Sequence, residues 1–130
     1  MNEELLNLLR EIADPTKCKL PEGWTVDQIG GERCFLKNRY IQGSIDSAYL
    51  DGDKIMDLLG RLSRAIEGEG RYRFERTVYE PADEQPHIEW LCFESELTVE
   101  VSDSTIGDAA SEAVALAKCI RAACAVEVGS

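Results

Sequence analysis

The chain has 130 residues, 25 of them acidic and 14 basic, for a formal net charge of -11. This balance excludes binding nucleic acid through the whole surface, because such binding rests on Lys and Arg neutralising phosphates. Five cysteines (Cys18, Cys34, Cys92, Cys119 and Cys124), an odd number without C-x-x-C spacing, exclude a disulfide framework and favour reduced, buried thiols.

At this length the sequence reads as one domain, 1–130, able to bury roughly two thirds of the surface its unfolded form exposes. The opening MNEELLNLLREIAD has no basic region ahead of an apolar run, and no apolar run reaches the length of a membrane span. A cytoplasmic protein is the expectation.

In chain order, Leu5, Leu8, Leu9 and Ile12 recur on one helical face, which predicts a helix over 2–13 that Pro15 brings to an end. A connector with two prolines follows. Two short strands, Trp24 to Ile29 and Glu32 to Lys37, are expected around Gly30-Gly31, with another from Arg39 to Ile45. Ile55, Leu58, Leu59, Leu62, Ala65 and Ile66 form the buried stripe of a second helix, which starts near Asp51 or Asp53 and stops at Gly68 and Gly70. Arg71 to Glu80 alternates as a strand with Tyr72, Phe74, Arg76 and Val78 on its core side.

From Thr77 to Ala117 there is no Lys or Arg, and carboxylates accumulate. Within this stretch His87 to Val101 reads as the principal strand, apolar on both faces at first and on one face later. Its second half is expected to turn Leu97, Val99 and Val101 to one side and Glu94, Glu96 and Glu100 to water. Antiparallel pairing with the preceding strand would set arginines opposite carboxylates. A final Ala-rich helix, Ile106 to Cys124, is expected to open with Thr105 as N-cap and Asp108 three residues on. The sum is an α+β domain: a mainly antiparallel sheet of four to five strands packed with three helices.

The strand with Trp24, the Ser44-to-Asp46 S-x-D ahead of an amphipathic helix, the strand with Trp90, and the Ala-rich helix after Asp103-Ser104-Thr105 resemble the phage ABA-sandwich domain family of small bacteriophage proteins. The resemblance spans about Trp24 to Cys124. It implies a phage origin, an ABA-sandwich fold and a place in the host cytoplasm, and it supplies no catalytic residues.

The residues themselves offer little chemistry. His87 is the single histidine, so a strand-edge role stands against a general base paired with Glu89 or a distant Cys. Asp51-Gly52-Asp53 has Ile55 where a calcium loop needs an acid, and Gly68-Glu69-Gly70 follows no strand. No cofactor, no metal site and no enzymatic activity are expected.

The carboxylates carry the sharper expectation. Same-face residues of a strand lie about 6.5–6.8 Å apart, so Glu94, Glu96 and Glu100 would present evenly spaced charges, joined by Asp103, Asp108 and Glu112. Such a row suits a partner with a basic surface. The function expected first is a phage accessory protein that inhibits a host nucleic-acid-binding or defence machine of the CRISPR type. A self-associating structural module, a homodimer in its simplest form, is the alternative.

Overall fold

The computed structural model describes residues 2–29, 33–37, 42–46 and 52–126, with side chains over 3–26 and 53–126. Among these residues the order is α1 (Asn2–Ala13), β1 (Thr25–Ile29), β2 (Arg33–Lys37), β3 (Gln42–Asp46), α2 (Gly52–Gly68), β4 (Tyr72–Tyr79), β5 (His87–Glu94), β6 (Leu97–Thr105) and α3 (Ala109–Cys124). No helix among them is long and apolar enough to cross a membrane. The expected α+β class and antiparallel pairing hold, but the strands form two three-stranded sheets, β1-β2-β3 and β4-β5-β6, where a single sheet of four to five was expected. Gly30-Gly31, expected to turn the first hairpin, lies outside the described residues.

The amphipathic stripes behave as their period requires. Leu5, Leu9 and Ile12 of α1 and Ile55, Leu59 and Leu62 of α2 are fully buried, in one core with Leu116 and Ile120 of α3. Helix α3 is the centre of the molecule, touching α1 and α2 as well as β5 and β6. Its alanines let it lie close: Ala113, Ala115 and Ala117 are all buried. The connector after α1 is tied to the end of α3, with Lys19 N–H donating to the Cys124 carbonyl at 2.8 Å and Val126 N–H to the Lys17 carbonyl at 2.8 Å.

Four thiols, those of Cys18, Cys92, Cys119 and Cys124, are free and buried, as their apolar surroundings in sequence suggest. Burial pushes Cys92 up to about 11 and Cys119 and Cys124 up to about 12, so all three are protonated at neutral pH. The Cys119 Sγ donates to the Trp90 carbonyl at 3.4 Å, fastening α3 to β5.

The principal strand is the main correction. It is two strands: β5 and β6 form a hairpin closed by Ser95 and Glu96, with Glu94 opposite Leu97. Ser95 takes φ of 56°, and among the described residues no other non-glycine has a positive φ. A positive φ at only the first central residue is the pattern of a type II′ turn, where glycine is usual. The helix start also moves. Asp108, rather than Thr105, is the N-cap of α3, its Oδ1 accepting from Ala110 N–H at 3.1 Å and Ser111 N–H at 3.2 Å. Gly107, at φ of 83°, turns the chain from β6 into the helix.

Candidate functional site: the open face of the second sheet

Cross-strand partners share a face, so register assigns the side of each residue in β4-β5-β6. Towards the helices run the rows Val78–Ile88–Ser104, Arg76–Trp90–Ser102 and Phe74–Cys92–Glu100. Away from them run Tyr79–His87–Thr105, Thr77–Glu89–Asp103 and Glu75–Leu91–Val101, with Arg73 beside Phe93.

The inner face is tight and polar where α3 crosses it. Ser102 and Ser104 are only 8% and 6% exposed, in the rows of Trp90 and Ile88. Beside them Glu112 of α3 is buried and bound from two sides. Arg76 Nε and Nη2 donate to its Oε2 and Oε1 at 2.7 and 3.2 Å, and Trp90 Nε1 donates to Oε2 at 2.8 Å. Hydrogen bonding to Glu112 raises the Arg76 guanidinium above its ordinary value, against the lowering effect of burial.

The outer face is open. Val101 is 44% exposed and Val99, the extra residue of a bulge against Cys92 and Phe93, is 40% exposed. Leu91 and Phe93 lie half-buried between the flanking strands, and the Arg73 guanidinium sits 4.7 Å from the centroid of the Phe93 ring. Leu97 at the hairpin end is 74% exposed. Val99 and Val101, expected on the covered side of the principal strand, therefore face out, while Leu97 stands opposite Glu94 at the hairpin end and Ile88, Cys92, Ser102 and Ser104 occupy the covered side.

The six carboxylates expected to act together are dispersed. Glu94 closes β5 and pairs with Arg71, Nε to Oε1 at 3.0 Å. Glu96 is an exposed turn residue, and Glu100 sits half-buried on the helix side opposite the fully buried Cys92. Asp108 caps a helix and Glu112 is held inside by Arg76 and Trp90. Asp103 alone of the six lies exposed on the outer face. The evenly spaced row fails because it assumed one continuous strand, and a two-residue turn after Glu94 sends its members to different places.

What the sequence reading missed is the strip Leu91, Phe93, Val99 and Val101 as an outward surface, and Asp103 as the cross-strand neighbour of Glu89. Glu94-Ser95-Glu96 has no glycine to mark a turn, and Glu89 comes opposite Asp103 only through that turn and the Val99 bulge together. No known family model, curated protein or solved structure matches this chain.

Proposed function

We propose that this chain is a non-catalytic protein–protein interaction module that docks through the outer face of β4-β5-β6 onto a partner carrying basic residues around an apolar patch. The observation that carries this reading is the strip of Leu91, Phe93, Val99 and Val101, which stands on the side of the hairpin away from α3 with Val99 and Val101 exposed. Glu89 and Asp103 lie at one end of the strip and Glu75 at its side. Apolar burial supplies affinity, while the surrounding carboxylates supply on-rate and choice of partner.

Charge favours a cationic partner over a second copy, since two chains of net charge -11 repel when brought face to face. The resemblance to phage ABA-sandwich proteins sets that partner among host nucleic-acid-handling or defence complexes, whose phosphate-binding clefts are lined with Lys and Arg. In this form the inhibitor reading rests on a face and its margin rather than on a row of glutamates.

A photo-crosslinking phenylalanine analogue at position 93, compared with the same group at position 61 on the exposed side of α2, tests the proposal in bacterial lysate. The expected result is one partner adduct from position 93, lost in Val101→Glu and weakened by salt. Adducts from position 61 alone would refute the docking face, and a 93-to-93 adduct with a dimer in sedimentation would replace the cationic partner by a second copy.

A further inference from the structure

We propose that His87, Glu89 and Asp103 form a binding site for a first-row divalent cation, of which Zn²⁺ is the type, at the His87 end of the outer face. His87 and Glu89 stand two apart on β5 and so share a side, and Asp103 is directly opposite Glu89 on β6. One donor atom from each of the three residues lies within 4.8 Å of the others. Donors around one tetrahedral Zn²⁺ at about 2.1 Å are roughly 3.4 Å apart, so small side-chain rotations close the set.

Like charges directly opposite on neighbouring strands repel, and Glu75 and Glu94 of the sheet and Glu112 of α3 are each matched by an arginine. Glu75 has Arg73 at 3.6 Å, Glu94 has Arg71 at 3.0 Å and Glu112 has Arg76 at 2.7 Å. Glu89 and Asp103 have no side-chain ion pair or hydrogen bond to another described residue, and no Lys or Arg occurs between Thr77 and Ala117. A bound cation would supply the missing positive charge.

The imidazole is oriented as well as near. Its ring stacks on Tyr79 of β4, centroids 5.1 Å apart and planes 16° from parallel, which restrains the direction in which its nitrogens point. One imidazole nitrogen and two carboxylates, without thiolate, suit a borderline ion of the Zn²⁺ kind. Three donors fall short of the six to eight oxygens that Ca²⁺ takes. Three protein ligands leave a coordination position open to water or to a side chain of another molecule. The site does not depend on the docking proposal: Zn²⁺ binding without a partner adduct would keep this inference and remove that one.

The test is calorimetric titration of the chelator-stripped full chain with ZnCl₂, read in parallel by NMR of the imidazole, a single signal because His87 is the one histidine. One equivalent of Zn²⁺ should bind and shift that signal. His87→Ala and Asp103→Asn should each weaken binding by roughly tenfold or more, and Glu96→Gln should leave it unchanged. All three positions are on strand surface or turn, and circular dichroism verifies their fold. No saturable binding, or binding that survives both His87→Ala and Asp103→Asn, would overturn the proposal.

Discussion

The two faces of β4-β5-β6 are built differently. The face under α3 carries Ile88, Cys92, Ser102, Ser104 and the Arg76–Glu112–Trp90 cluster, whereas the face towards solvent sets Leu91, Phe93, Val99 and Val101 beside Glu75, Glu89, Asp103 and Arg73. Apolar side chains stand on both sides, so hydrophobicity alone does not sort them. The difference is cover: α3 packs on β5 and β6 from the side of the buried Ile88, Cys92, Ser102 and Ser104, and Val99 and Val101 on the other side stay exposed. A hydrophobic strip left outside in this way is a surface for something else to cover.

The largest effect that would sharpen this contrast is alkaline unfolding. Cys92 and Cys119 lie on the inner side and Cys124 at the end of α3, with thiols raised from 9.0 to about 11, 12 and 12. Below the unfolded value each thiol is protonated in both states and contributes no pH dependence. Above it the unfolded chain releases protons that the native chain holds, so stability is lost as pH rises from about 9 towards about 12. The steepest slope is about 1.4 kcal/mol per pH unit for each thiol, measured by urea unfolding across that range. A flat profile would mean that the inner face is wet.

Glu112→Gln comes next. It removes the charge facing Arg76 and one acceptor of a shared network, and should cost about 2 kcal/mol in urea unfolding, below the full loss of a buried pair because Arg76 is partly exposed. The smallest effect is on the other face. Glu89→Gln relieves repulsion from Asp103 and, without added metal, should stabilise by up to about 0.5 kcal/mol. Opposite signs for one substitution type on two sides of a sheet would make the comparison quantitative; equal losses would break it.

Much of the fold was legible because it rests on period. The α1 stripe and its stop at Ala13, the α2 stripe ending at Gly68, and β4 from Tyr72 to Tyr79 follow directly from spacing and from Pro15, Gly68 and Gly70. The β5–β6 turn was not legible, because Ser95 sits where glycine would announce a positive φ and the flanking residues keep strand alternation. From that one omission come the joined principal strand and the dispersal of Glu94, Glu96 and Glu100, while the outward facing of Val99 and Val101 follows from the side on which α3 packs. The division of the strands into two sheets is equally hidden, since alternation reports a pleated segment and says nothing of which neighbour it pairs with. Glu112 looked like a surface acid because its partners, Arg76 and Trp90, are distant in sequence.

The most direct measurement of the inverted faces is the urea midpoint of Val101→Glu beside that of Ile88→Glu, two strand residues that register places on opposite sides. Val101→Glu should stay within about 1 kcal/mol of the parent, while Ile88→Glu, which buries an unpaired charge, should unfold the domain or cost several times more. Equal collapse of both variants would put Val101 in a covered core and contradict the open face on which the functional reading stands.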